Sequence, residues 1–302
     1  MMVKDRSKIC LICSCAIMVI ALVLSLFGQG INMGIDFSGG LNIKYQMNAA
    51  FEQADVDTAL ENAGIKVYTV TAMGENNSDL QIRIKDTTEE DIQVLRESIE
   101  TELLAKYPDM DVANAAVGYV GPVAGATLVR NAVFSVLIAS LLMLVYIAFR
   151  FDLPSGLAAV IGLVHDVLMM LSFMVILRNI IQMNSSFIAA MLTIVGYSIN
   201  NTIVIFDRVR ENKKANPSMG GVDVANKSVK ESLGRTINTT LTTLITITTL
   251  YIIGVEAIRE FALPIIIGIL SGVYSANMIN PYVWAKLQNT IKPGRKLKAK
   301  KA

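Results

Sequence analysis

Six stretches of this chain are almost free of charge and long enough to cross a lipid bilayer: residues 9–35, 131–149, 153–177, 179–206, 236–255 and 261–285. A hydrocarbon core of roughly 30 Å takes about 20 apolar residues as helix, and lipid offers no partner to a free peptide N–H or C=O. Such runs are therefore helices. With 53% of residues hydrophobic and 17% charged, a soluble hydrolase or nucleic-acid enzyme is excluded. The expectation is a polytopic α-helical membrane protein with spans at 9–35 and about 127–149, 153–177, 183–206, 236–254 and 262–285, the last five forming a bundle over 121–286.

Charge is spread unevenly around the spans. Residues 36–111 hold 16 acidic side chains against 6 basic ones, leaving 21 basic against 9 acidic elsewhere, so the chain is divided between two compartments. Residues 1–8 carry Lys4, Arg6 and Lys8, as a signal peptide does. The run that follows is long and lacks a small-residue cleavage site, which predicts an uncleaved anchor. Six spans put the N-terminus, a loop at 207–235 and the tail 287–302 on one side, and their bases make that side the cytoplasm. The tail has six cations and no acid from Lys292 to Lys301. Topology and anionic lipid account for it better than nucleic acid, and no nucleic-acid partner is expected.

Residues 36–120 read as a small extracytoplasmic α+β domain. Residues 41–47 alternate as a strand, 54–63 have helical spacing that stops at Gly64, and 66–72 with 80–85 make a hairpin about the turn cluster Gly74, Glu75, Asn76 and Asn77. Thr87 with Glu90 predicts a capping box that opens a helix through Lys106, ended by Pro108, and 112–120 is a last strand. The order βαββαβ suggests a ferredoxin-like sandwich, which by itself specifies no function.

The spans hold few groups capable of chemistry. Cys10, Cys13 and Cys15 lie in one apolar run with no carboxylate or histidine to complete a metal shell, and no metal or cofactor is expected. The nearest approach to a P-loop, Gly221 to Ser228, has Asn226 where the second glycine belongs. With one histidine and no G-x-S-x-G or H-E-x-x-H, no enzymatic activity is expected. A charge at bilayer depth costs upward of about 2.5 kcal/mol, so Asp166, beside His165, must face protein or water. It is either an ion site or a structural hydrogen-bonding group.

On the fourth span Gly196, Asn200, Ile203 and Asp207 share one helical face, and Tyr197, Asn201, Val204 and Arg208 the adjoining one. An amide there can hold a neighbouring helix but cannot titrate. The fifth span has eight threonines from Thr236 to Thr249, which either back-bond to their own helix or line a polar interior. Thr239 and Thr243 are candidates for a polar helix interface with His165 and Tyr197. Arg235, at the entrance, either snorkels or reaches the Asn201 region. Gly121 with Gly125, and Gly268 with Gly272, have the spacing that lets helices approach closely.

Several strings together are similar to the SecF family of the bacterial SecDF protein-export complex, within the resistance-nodulation-division superfamily. They are Gly34-Ile-Asp-Phe-Ser-Gly-Gly40, Val120-Gly-Pro-Val-Ala-Gly125, His165-Asp166, Gly196-Tyr-Ser-Ile-Asn-Asn-Thr-Ile-Val-Ile-Phe-Asp-Arg-Val-Arg-Glu-Asn212, Arg235-Thr-Ile-Asn-Thr-Thr-Leu-Thr-Thr243 and Gly272-Val-Tyr-Ser-Ala276. The resemblance runs from the anchor to the last span. It implies a multi-pass subunit of the bacterial cytoplasmic membrane that acts with SecD and the SecYEG channel, and with YajC and a YidC-type insertase. Its task would be to promote export of unfolded polypeptide with the proton gradient.

The resemblance also implies that protons pass by polar residues of the fourth span and an arginine that maps to Arg235. The family's string Tyr-Ser-Ile-Asn-Asp-Thr places a carboxylate where this chain has Asn201. Asp166, Asn200, Asn201 and Arg235 are thus the pathway candidates, and position 201 lacks the titratable group. Coupling then runs through SecD, is taken over by Asp166 or Asp207, or uses no proton. A non-coupled scaffold and a small-molecule exporter half of the same superfamily are the alternatives.

Overall fold

The computed structural model describes residues 3–73, 78–85, 87–178, 180–254 and 256–291; the turn cluster expected at 74–77 and the tail from 292 lie outside these. The chain divides into two units, one of Met1–Asn32 with Phe134–Ala302 and one of Met33–Val133.

Helix α1 (Val3–Leu26) begins before the apolar run 9–35 and stops short of its end. Gly28 adopts φ +79°, and the N–H groups of Gly28 and Gln29 return to Ser25 O and Leu24 O. This is a left-handed C-terminal cap that stops the helix.

In the second unit a one-turn helix α2 (Ile35–Ser38) leads into β1 (Gly40–Gln46), followed by α3 (Gln53–Asn62), β2 (Tyr68–Met73), β3 (Asp79–Ile84), α4 (Ile92–Lys106) and β4 (Asp111–Val120). The sheet order is β2-β3-β1-β4 and every neighbouring pair is antiparallel. Register pairs Leu41 with Ile84, Ile43 with Ile82 and Tyr45 with Leu80. Their buried side chains meet Val56 and Leu60 of α3 and Ile99 and Leu103 of α4, as a period-two strand with one buried face requires.

The capping box expected at Thr87 and Glu90 does not open α4. Thr88 precedes a 3-10 turn Glu89–Asp91 and its hydroxyl donates to Asp91 Oδ2 at 2.5 Å. Thr87 is buried, its carbonyl accepting from the Tyr119 hydroxyl at 3.2 Å. Gly125 belongs to this unit too: a Cβ there would press on the backbone of Phe37 and Gly39. Gly125 thus serves the 34–40 segment, whereas a Cβ on Gly121 would reach only the Tyr119 ring.

Six helical passages are long and apolar enough to cross a membrane among the described residues. After α1 they are α5 (Pro122–Arg150), α6 (Leu153–Ile176), α7 (Ser185–Ala215), α8 (Gly221–Ile253), and a last passage of α9 (Glu256–Tyr274), a π turn Ser275–Ile279 and α10 (Asn280–Ile291). The segment 207–235, read from its charges as a loop, is helical except around 216–220. Its charges pair between α7 and α8: Arg208 Nε lies 2.7 Å from Glu231, and Asn212 Nδ2 donates to Glu231 at 2.7 Å and to Ser228 at 3.0 Å. At 1.5 Å per residue α7 runs about 46 Å, well beyond a bilayer core.

The bundle interior is formed by α6, α7 and α9, with α1, α8 and α10 against them. Gly268 makes this possible, since any Cβ there would collide with Ile194 of α7. Gly272, one turn on, faces Ser198 Cβ at 3.3 Å. Among the described residues helix α5 gives Ile147 to the bundle core and packs Val136 and Met143 against it, and none of its most apolar stretch is buried.

The π turn has a local cause. Pro281 has no N–H to return to residue 277, and the Asn280 N–H reaches five residues back to Ser275 O. Ser275, Asn277 and Asn280 are all turned into the interior.

Candidate ion site within the helix bundle

Asp166 is 1% exposed. Its Oδ1 is 3.0 Å from His165 Nδ1 and accepts from the Ser271 hydroxyl at 3.0 Å. Its Oδ2 accepts from the Ser275 hydroxyl at 2.8 Å and from that of Ser198. Three hydroxyls from α7, α9 and the π turn therefore donate to one carboxylate, which also meets a ring nitrogen of His165 on α6. The other nitrogen of His165, Nε2, lies 2.8 Å from the Ser14 hydroxyl on α1. Ser14 continues to the Tyr274 hydroxyl at 3.1 Å, which donates to Cys10 O. A continuous hydrogen-bonded chain thus runs from α1 through α9 and α6 to Asp166.

Beside this chain is a cavity of about 420 Å³. Its surface is almost wholly apolar, with Ile17, Met169 and Phe173 among its walls, although Ser14, Ser271 and Tyr274 also stand along it. A carboxylate, an imidazole and five hydroxyls at bilayer depth are suited to holding and passing a proton.

The other sequence candidates separate. Asn201 is 1% exposed and its Nδ2 has no hydrogen-bond partner among the described residues, whereas Asn200 is exposed. Tyr197 donates to Thr240 Oγ1 at 3.3 Å. Thr239 and Thr243 return their hydroxyls to their own helix, to Arg235 O and Thr239 O at 2.9 Å each. Arg235 is exposed on α8 and forms no ion pair among the described residues. Asp207 is a half-exposed partner of Arg150 at 3.2 Å. The threonines that do face the interior are Thr236, within 3.4 Å of Asn277 Oδ1, and Thr240.

Sequence reasoning missed Ser14, Ser198, Ser271, Ser275 and Tyr274. Ser271 and Ser275 stand four apart on the face of Gly268 and Gly272, which is the signal that would have found them. On α8 the buried Ser228, Ser232, Thr236 and Thr240 recur every four residues, a stripe that the loop reading of 207–235 cut in two.

The family described as "Protein export membrane protein SecD/SecF, C-terminal" matches residues 99–290, and the SecD/SecF GG motif matches residues 24–50. A protein translocase subunit SecF from Endomicrobium trichonymphae is 38% identical over 253 residues, 83% of this chain and 79% of that protein. The protein translocase subunit SecDF of Bacillus subtilis is 33% identical over 93% of this chain, which spans only 37% of that longer one. The crystal structure of SecDF from Thermus thermophilus, described as a translocon-associated membrane protein, superposes with a TM-score of 0.82 at 31% identity, covering 94% of this chain and 38% of that one. The chain belongs to the SecD/SecF family of protein-export membrane proteins, on its SecF side.

Proposed function

We propose that this chain works with a SecD-type partner and the SecYEG channel to promote export of unfolded preproteins across the bacterial cytoplasmic membrane. The proton gradient drives it, and its own proton step lies at His165 and Asp166 instead of position 201. The carrying observation is the polarity of the buried chain. The Cys10 carbonyl can only accept, so Tyr274 donates to it, Ser14 donates to Tyr274, and the Nε2–H of His165 donates to Ser14. With Nε2 protonated, the contact from Nδ1 to Asp166 Oδ1 needs one further proton, on either the ring or the carboxyl. Losing that proton sets two lone pairs against each other. The contact must then open, and because Asp166 is tied to α7, α9 and the π turn, opening it displaces helices. Proton release is in this way coupled to movement.

The partner reading rests on surfaces the chain leaves uncovered. Arg235 and Asn238 lie exposed on α8 in a stripe with Thr239, Thr242, Thr246 and Thr249, and the charge and the amide are costly against hydrocarbon. A second helix bundle would cover it, and in the longer SecDF relatives most of the chain is additional to the part matched. YajC and a YidC-type insertase are further partners of the same assembly. The acidic unit, whose strand order supports a ferredoxin-like topology, lies outside the cytoplasm and meets the emerging polypeptide, with both termini in the cytoplasm. The chain acts as a transport subunit, not an enzyme.

The test is release of a secretory substrate arrested mid-translocation in membrane vesicles, with and without a proton ionophore. In a strain lacking the natural chain, Asp166→Asn is expected to leave release slow and insensitive to the ionophore, while Asn201→Asp behaves as the natural chain. Full gradient-dependent release from Asp166→Asn would return the proton step to the partner and make this subunit a scaffold.

A further inference from the structure

At the end of the bundle where α5 turns into α6, a second cavity of about 190 Å³ lies between the start of α6, the charged end of α7 and α10. Arg210, Lys213 and Lys214 line it together with Asp152, Ser155 and Trp284. Three cations face one carboxylate there, and the Ser155 hydroxyl donates to that carboxylate at 2.6 Å. Lys213 Nζ donates to Met219 O at 2.9 Å, which anchors it at the wall. Arg210 and Lys214 are exposed and take part in no ion pair among the described residues.

The second, independent observation is Trp284. It is 2% exposed, and its indole Nε1 has no hydrogen-bond partner among the described residues. The indole N–H only donates, and leaving a buried donor unmet costs about 1–3 kcal/mol. An excess of cations beside an unmet donor calls for an oxyanion acceptor. The level in the membrane says which kind. Arg150 stacks on Phe151 at 5.3 Å and Lys286 on Tyr282 at 4.9 Å, the aromatic and basic girdle of a membrane–water interface.

We infer that this cavity binds the phosphate of an anionic phospholipid headgroup, with Arg210 and Lys214 carrying the charge and the Trp284 N–H completing the shell of donors around its oxygens. The shared chemistry with a free phosphate ion is the oxyanion. What favours the lipid is the placing of the cations and the donor at the ends of spans, where a headgroup arrives with its acyl chains already alongside.

Trp284 is the sole tryptophan of the chain, so its emission reports on the site directly. The intact chain is placed in nanodiscs of phosphatidylcholine with increasing phosphatidylglycerol, and in pure phosphatidylcholine titrated with inorganic phosphate. The expected result is a saturable change with phosphatidylglycerol and none with phosphate. In Arg210→Gln/Lys214→Gln, half-saturation should move to about thirtyfold higher phosphatidylglycerol, the loss expected for two interfacial cations. Unchanged emission of that variant in pure phosphatidylcholine shows that the fold is kept. An equal response to phosphate would make the site one for free phosphate and overturn the lipid assignment. No response to phosphatidylglycerol, or one the double variant retains in full, overturns the site itself.

Discussion

The hydroxyl of Ser14 lies 2.8 Å from Nε2 of His165, two side chains 151 positions apart in the chain. This contact ties the first span to the third and orients the imidazole whose other nitrogen meets Asp166. Ser14→Ala removes the acceptor and leaves the Nε2–H unmet, for a loss of about 1–3 kcal/mol. Thermal unfolding in detergent should show it, and Ser14→Thr should restore most of the loss.

His165→Gln keeps a hydrogen-bonding side chain but removes the imidazole that can take up and give off a proton. Gradient-dependent release is expected to fall about tenfold or more, in the range of losing a positioned proton-transfer group, with the protein still folded and inserted. Equal release from both chains at every pH from 6 to 8 would count against a proton at this pair.

Gly162 sits where a methyl group would overlap the side-chain amide of Asn280, which itself donates to Thr202 Oγ1 at 2.9 Å. Gly162→Ala should therefore destabilise the bundle by about 1–3 kcal/mol. Asn280→Ser in the same chain relieves the overlap, so the two substitutions together are expected to cost less than their sum, as a double-mutant cycle of melting temperatures would reveal.

The second unit has a clasp that responds to pH. Lys106 is paired with Asp55 and the Tyr107 hydroxyl donates to Asp55 Oδ2 at 2.6 Å, and these bonds hold the Asp55 carboxyl below its ordinary 3.8. The same carboxylate raises Lys106 above its ordinary 10.5. Stabilisation from Asp55 is complete above pH 3.8 and fades as pH falls through its lowered value. That from Lys106 is complete below pH 10.5 and fades as pH rises through its raised one. Amide exchange near residues 52–55 should accelerate at both limits, and Asp55→Asn should abolish the acid-side change.

Much of the architecture is readable in the sequence because lipid permits so little. Leu153 to Ile176 and Ser185 to Phe206 are helices by composition alone, and the alternation of Leu80, Ile82 and Ile84 gives the core strand of the sheet. The site is less readable. Asp166 with His165 stands out as a charge in an apolar run, but Ser14, Ser198, Ser271 and Ser275 are small hydroxyls with no local signature, brought together only by packing of distant helices. Asn201 stands out through its neighbours in the string, yet its amide Nδ2 is unpartnered among the described residues and it makes none of the bonds to Asp166. The extension of α7 and α8 was hidden because Arg208, Asn212 and Glu231 look like loop residues until they are seen to satisfy one another.

The π turn at Ser275–Ile279 holds one residue more than an α-helical turn would, and each residue of a helix advances the azimuth by about 100°. Upstream of it Ser271 faces Asp166; downstream Trp284 faces the basic cavity. The surplus residue is what brings these two faces into phase. Deleting one position there would let the α-helix close without interruption and swing α10 by more than a quarter-turn, pulling Asn280 from Thr202 and Trp284 from its cations while Ser271 stayed in place. The two ends of the last span are thus geared to each other through a single residue, and a shift of the bulge along the helix would be felt as rotation at the membrane surface.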